Sequence, residues 1–350
     1  MVTGERGYDP GLDNYFSSEE IRPTLSMVVP VWFPKDLPRP RMCRILSATL
    51  RDCGIYVEPS NIKVVVDGAP WCFEVLDEIR AETGIEFDEF HLDTNRGKGA
   101  AVRAGMRRAL ARSDVSFVVI RDADGDHFLN DLPHLFRIGK QILRETETDR
   151  VLVVGRRSSV HRPLGFFRGE YERLLNRVIV DALEFRLATQ GKVLNTQYWM
   201  DDPPDLLSGY KLYSRATAEQ ALDVLSDRGE IAKGFDLERS GSDIVPFVEI
   251  VLAGGIVGEV PRVAYNEQPT SAYSGEHRPT FYGERIVWVF RRLNMEGHQA
   301  EQLLNNALPR SLLGTDSRGL EELRKLRTHV LQGLGMVAPT GEIPRGPAYC

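Results

Sequence analysis

The segment Ile120-Arg121-Asp122-Ala123-Asp124-Gly125-Asp126 sets carboxylates at alternate positions directly after an apolar run. On extended backbone alternate residues point the same way, so Asp122, Asp124 and Asp126 can share one face. Carboxylates gathered like this repel one another unless a cation sits among them. Oxygen ligands select Mg2+ or Mn2+, ions that in turn suit diphosphates. An acidic turn that is merely solvated would carry the same string, because a lone D-x-D arises often by chance. A calcium loop of the EF-hand kind needs Gly at its sixth position and Glu at its twelfth; His127 and Pro133 stand there instead.

A second basic and glycine-rich stretch precedes it, Asn95-Arg96-Gly97-Lys98-Gly99-Ala100-Ala101-Val102-Arg103. Glycines let backbone approach a phosphate or a sugar, and the helix that follows offers free N–H groups. Arg96, Lys98 and Arg103 add positive charge. The spacing matches neither G-x-x-x-x-G-K-[ST] nor G-x-G-x-x-G, since Val102 takes the third glycine position. A glycine-rich helix start with solvated basic residues is the plainer reading. The acidic string also fits a haloacid-dehalogenase-type phosphatase, with Asp122 as nucleophile and Asp124 as acid/base. In that fold, however, the motif belongs to the first strand.

The elements that must position these residues follow from hydrophobic patterning. Apolar, β-prone runs predict strands at Thr24–Phe33, Ile62–Val66, Phe87–Leu92, Val115–Ile120 and Val151–Gly155. Helical spacing predicts helices at Arg41–Cys53, Trp71–Thr83, Gly99–Arg112 and Asp131–Glu145. Strands alternating with helices, and apolar on both faces, predict an α/β fold with a doubly wound, mainly parallel sheet. Ligands on such sheets sit beyond the carboxyl ends of the strands. Asp67, Asp93–Asn95 and Asp122–Asp124 all fall there. In the second half helices are expected at Phe166–Phe185, Ala216–Asp227, Asp243–Gly254, Phe281–Arg292, Glu296–Asn306 and Arg318–Leu334. Strands are expected at Ser208–Ser214 and Ile256–Tyr265, and loops at Gln190–Leu207 and Thr270–Pro279.

Six ordered elements between about Leu25 and Tyr265 resemble glycosyltransferase family 2, and most of all its polyprenyl-phosphate (dolichyl-phosphate) mannose or glucose synthase branch. They are MVVPVWF with Pro30; IKVVVDG with Asp67; NRGKGAAVRAG; RDADGDH; Gly155-Arg156-Arg157; and DLLSGYKLY from Asp205, closed by Val248-Glu249-Ile250 and Gly258-Glu259-Val260-Pro261. Ala69-Pro70-Trp71 and Asp126 depart from the family pattern. The resemblance implies the GT-A fold with a C-terminal helical extension. It implies metal-dependent transfer of a sugar from a GDP- or UDP-sugar, with inversion, to a polyprenyl phosphate or a small soluble acceptor. It implies Pro30, Asp67, Asn95, Lys98, Asp122 and Arg157 around the nucleotide sugar, and Asp124 with Asp126 and His277 around Mg2+ or Mn2+. Asp205 matches the family's acidic position on the acceptor side and is the expected base, with Asp201 and Asp202 as rivals; against a phosphate acceptor it would only position. His161 and Arg162 could touch an anionic acceptor. A sensor that binds sugar nucleotide without catalysis stays open beside the transferase and the phosphatase.

Of 350 residues 42% are hydrophobic, enough for one large domain with an appendage. The net charge of −6 speaks against a general nucleic-acid binder. The four cysteines form no C-x-x-C pair, as expected of reduced thiols in a cytoplasmic protein. No leading apolar stretch and no bilayer-length run is present. The expected boundaries are a polar leader (1–22), a GT-A domain (23–270) with a nucleotide-binding half (23–155) and an acceptor half (156–270), a helical extension (271–335) and a mobile tail (336–350). The aromatic stripe of Phe281–Leu293 would meet a membrane interface peripherally, pack onto the domain or join two copies as a homodimer; packing is the expectation.

Overall fold

In a computed structural model the described residues are 17–201, 203–225, 232–264, 277–337 and 343. The chain runs α1 (Ser18–Ile21), β1 (Leu25–Val31), α2 (Arg39–Leu50), β2 (Ile62–Asp67), α3 (Trp71–Thr83), β3 (Asp88–Leu92), α4 (Lys98–Leu110), β4 (Phe117–Ile120), α5 (Leu132–Glu145) and β5 (Val151–Arg157). It continues with α6 (His161–Leu164), α7 (Phe166–Ala188), β6 (Lys211–Ser214), α8 (Arg215–Val224), α9 (Leu237–Ser240), α10 (Val245–Leu252) and β7 (Ile256–Arg262), and then the extension, α11 (Arg278–Arg292), α12 (Gly297–Ala307) and α13 (Ser317–Gly333).

The seven strands form one sheet in the order β3-β2-β1-β4-β6-β5-β7. All neighbours pair in parallel except β6, which runs antiparallel to both β4 and β5. The period of two along each strand sorts side chains to opposite faces. Met27, Val29, Val64, Val66, Val119 and Val153 pack with α2, α3 and α5. Val28, Val65, Val118, Leu152 and Val154 pack with α4, α7, α8, α10 and the extension. The fold is thus α/β and doubly wound, with a mainly parallel sheet and a C-terminal helical extension. At Gly105 helix α4 presses onto β1 and β2 so closely that an added Cβ would lie 2.3 Å from a methyl of Val28.

Three expectations change. The leader does not extend to residue 22: Ser17 and Glu20 form a capping box for α1, and Ile21 is buried in the core. Met336, expected in a mobile tail, packs against the core; most residues beyond it lie outside the described ones. The strand read at Ser208–Ser214 starts only at Lys211, although the Tyr210 carbonyl still accepts the Gly155 N–H of β5 at 2.8 Å. The aromatic stripe packs inward, as expected: Tyr282, Ile286, Val289 and Phe290 are buried, and the Arg285 guanidinium lies 3.4 Å from the Phe281 ring centroid. Among the described residues no helix is long and apolar enough to cross a membrane.

Candidate active site

The acidic segment leaves the sheet at the end of β4. Buried Arg121 holds it from below: Nε and Nη2 donate to the His127 carbonyl at 2.8 and 2.5 Å, and Nη1 donates to the Thr49 carbonyl. The Asp122 N–H donates to His127 Nδ1 at 2.9 Å, closing a six-residue loop. The His127 ring stacks on Tyr210 at 4.8 Å. Burial, and then the neighbouring cations led by Arg262, push its pKa well below the ordinary value, so the ring is a neutral acceptor. Gly125 turns the loop at φ +78°.

The three aspartates separate inside this loop. Asp126 is buried against Arg262, Oδ2 to Nη1 at 3.1 Å, and the same guanidinium takes its carbonyl at 3.0 Å. Its charge is already balanced, which removes it from the expected metal ligands. Asp124 is half-buried, accepts the Asp126 N–H at 3.0 Å, and titrates at about 6, raised first by burial and next by the charge of Asp122. Asp122 accepts from Lys98 Nζ on Oδ2 at 2.9 Å, while its buried Oδ1 has no hydrogen-bond partner among the described residues. One orphaned carboxylate oxygen beside a carboxyl raised by burial and then by like charge fits a hard cation held by Asp122 and Asp124, with the remaining ligands from a diphosphate or water. Among the described residues no group of three or more His, Cys, Asp or Glu could hold a metal alone. His277 stands exposed at the start of α11 and joins no such group. The expected set of Asp124, Asp126 and His277 is therefore not assembled.

Lys98, the first residue of α4, also reaches Asp243 at 3.3 Å. Lys211 donates to the Asp243 carbonyl at 3.0 Å, and burial pulls its pKa down to about 8 against the pull of Asp243. Antiparallel β6 puts Lys211 opposite Ile120 and so beside the acidic loop. Sequence alternation predicted a strand here but carries no signal for its direction.

The glycine-rich stretch differs from its sequence reading. Added Cβ atoms would meet Arg239 Cα at 2.4 Å from Gly97, and the Leu237 and Glu238 carbonyls at 2.6 Å from Gly99. These glycines admit helix α9, and Arg96 and Arg103 are bound to Glu238. Asp67 accepts the Arg96 and Gly97 N–H groups at 2.8 and 2.7 Å, so it organises this loop with both oxygens. Asn95 is exposed, and Pro30 is half-buried at the end of β1.

On the other side of the loop, buried Arg157 forks onto Asp205 at 2.6 and 2.7 Å and reaches Glu172 at 2.6 Å. Burial opposes ionisation of Asp205, but the Arg157 charge outweighs it and holds its pKa below the ordinary range. Asp205 also accepts the Arg157 N–H, at 3.0 Å. The pair thus supports itself: both Asp205 oxygens are taken up by Arg157, and the guanidinium is shared between Asp205 and Glu172. Asp201 pairs with Arg156, and Asp202 lies outside the described residues. From Asp205 the chain passes Ser208, whose hydroxyl donates to the Gly155 carbonyl at 2.6 Å. It then reaches Gly209, where an added Cβ would lie 2.0 Å from Asp122 Oδ2 and 3.0 Å from Lys98 Nζ. Gly209→Ala is accordingly expected to shift the Asp122–Lys98 pair and to destabilise the protein by about 1–3 kcal/mol, read by urea unfolding.

Beside Asp205 opens a cavity of about 540 Å³. Arg156, Arg157, Ser158 and Ser159 line it from the end of β5, Asn176 and Arg177 from α7, and Arg310 and Ser311 from the extension. His161 is in this wall and pairs with Glu170 at 2.7 Å. The residues from α7 and the extension were missed by the sequence reading, since nothing local marks them.

No family model and no curated protein matches the chain. Among solved structures it is similar to S. aureus TarS 1–349 at 12% identity, with 89% of each chain covered and a TM-score of 0.39. It is similar to the same protein in complex with UDP at 13% identity, again with 89% of each chain covered and a TM-score of 0.42. A cytidylyltransferase from Leptospira borgpetersenii serovar Hardjo-bovis matches at 9% identity, over 70% of this chain and 78% of that one, with a TM-score of 0.35. Likenesses this distant carry no argument about activity.

Proposed function

We propose that the chain is a divalent-cation-dependent glycosyltransferase that takes its sugar from a nucleotide diphosphate sugar. The observation that carries this is the Asp122–Asp124 pair at the carboxyl end of the central strand β4, one oxygen orphaned and buried, the other carboxyl raised to about 6. The ordered motifs resembling glycosyltransferase family 2 support the same reading.

On this reading Asp122 and Asp124 hold Mg2+ or Mn2+, which when bound would neutralise charge growing on the departing diphosphate. Lys98 steadies Asp122 and adds a positive charge near the same place. The Arg121 fork and the His127–Asp122 contact keep the loop in one shape, so the carboxylates need little rearrangement when ligand arrives. Gly209 lets the acceptor-side segment come within touching distance of Asp122. Arg157 and Asp205 fix the start of that segment. With Asp205 bound on both oxygens, the reading assigns it no proton, and it leaves the stereochemical outcome unassigned.

The test is calorimetric titration of the full chain with UDP- and GDP-sugars, with and without Mn2+. Binding that needs the cation and is lost in Asp122→Ala is the expected result. No binding of any nucleotide under either condition sinks the proposal. Phosphate release from phosphomonoesters, lost in Asp122→Asn, would point to a phosphatase instead.

A further inference from the structure

The cavity beside Asp205 has an electrostatic and hydrogen-bonding character of its own. Arg157 is taken up by Asp205 and Glu172, and Arg177 by Asp181 at 3.3 Å. Arg310 is different: it is exposed, it lines the cavity, and among the described residues its guanidinium has no ion pair or hydrogen bond. Arg173, also in the wall, is largely exposed and stands 3.7 Å from a Glu170 that already holds His161 at 2.7 Å. Arg156 shares the wall with Asp201 as its partner. These arginines share the wall with Glu170, Asp201 and Asp205.

Asn176 supplies an independent observation. It is 4% exposed, it lines the same cavity, and its buried Oδ1 has no hydrogen-bond partner among the described residues. A buried amide oxygen left unpaired costs about 1–3 kcal/mol unless something donates to it. The atom has no accessible surface of its own, so a hydroxyl of a bound molecule meets it only after the side chain turns toward the cavity. The cavity therefore offers a cationic end for an anion and an acceptor atom for a hydroxyl.

We infer that the cavity is the acceptor site and that the acceptor is a small, water-soluble hydroxy compound bearing a phosphate or carboxylate, gripped by Arg310, Arg173 and Arg156 with a hydroxyl on Asn176. The inference rests on the transferase reading and names the substrate class that reading leaves open. The lining is mainly polar and charged, which suits a soluble anion better than a polyprenyl chain. Asp205 lines the cavity and Gly209 touches Asp122. Four residues of chain span at most about 14 Å, so cavity and acidic loop are near neighbours.

The probe is inorganic phosphate, titrated calorimetrically into the full chain with and without saturating UDP or GDP. Comparing the two conditions separates this cavity from the nucleotide side. Arg310→Gln, at an exposed position, and Asn176→Asp, which keeps the shape and adds a negative charge, are each expected to weaken phosphate binding about tenfold. Nucleotide affinity should be unchanged in both. In a transfer assay, phosphorylated or carboxylated polyols should be used, their uncharged counterparts should not, and Arg310→Gln should raise acceptor KM more than it lowers kcat. Equal phosphate affinity in wild type and both variants overturns the inference. So does transfer only to polyprenyl phosphate in vesicles, or equally good use of uncharged polyols. If phosphate binding behaves as expected but no nucleotide binds, the transferase reading falls and the anion cavity stands.

Discussion

Asp124→Asn is expected to make the protein more stable and nearly inactive at the same time. In the wild type the Asp124 carboxyl is raised to about 6 by burial and by Asp122. A carboxyl raised on folding holds its proton more tightly in the native state. Its favourable contribution is full below the unfolded carboxylate value and is lost as pH rises through about 6. Above that, the ionised side chain is a burden that Asn does not carry. The variant should therefore gain roughly 1–2 kcal/mol at pH 7.5, with the partial exposure of the site keeping the figure modest, and nothing at pH 4. Urea unfolding at the two pH values reads this directly. On the proposed reading Asp124 helps hold the cation, and transfer activity should fall about 10²–10³-fold. Equal activity with a stability gain would show that Asp124 is a surface acid and nothing more.

Arg157→Met should produce the opposite profile, a large stability loss with no special role for the cation. Removing the guanidinium leaves the buried Asp205 carboxylate with one backbone donor, the N–H of residue 157, while Glu172 keeps Arg168 at 3.0 Å. Stranding a buried carboxylate typically costs about 3–5 kcal/mol. The pair with Arg157 lowers the Asp205 pKa in the wild type, so its stabilisation is present above the unfolded carboxylate value and disappears as pH falls through the folded one. In the variant Asp205 can relieve its burial by taking a proton. The gap between wild type and Arg157→Met should be widest near neutral pH and close below about pH 4. A gap that stays constant across that range would mean that packing of the arginine stem, not its charge, supports the site.

Much of this architecture is legible in local sequence. Apolar runs such as Val115–Ile120 and Ile62–Val66 can only be covered strands, and Trp71–Thr83 carries its helical period openly. The acidic loop, the Gly155–Arg157 stretch and the Asp205–Tyr213 motif were each recognisable as elements of a site. What was not legible is who partners whom. Arg157 and Asp205 were assigned to opposite substrates, yet they bind each other across 48 positions. Asp126 looked like a third acidic ligand until Arg262, 136 positions away, proved to neutralise it. Gly97 and Gly99 looked like a phosphate cradle, and the same absence of a Cβ turned out to admit α9. A residue type states what chemistry is available; only the packing of distant segments decides whether that capacity is left free or used internally.

The short run from Asp205 to Gly209 is anchored at both ends, by Arg157 at the cavity and by close approach to Asp122 at the loop. On the proposed reading it acts as a ruler. It fixes how far the anion of an acceptor can stand from the sugar it receives, so molecules are graded by length as well as by charge. A one-residue insertion there would move the mark on that ruler without touching a single ligand-binding side chain, and would change which acceptor reaches.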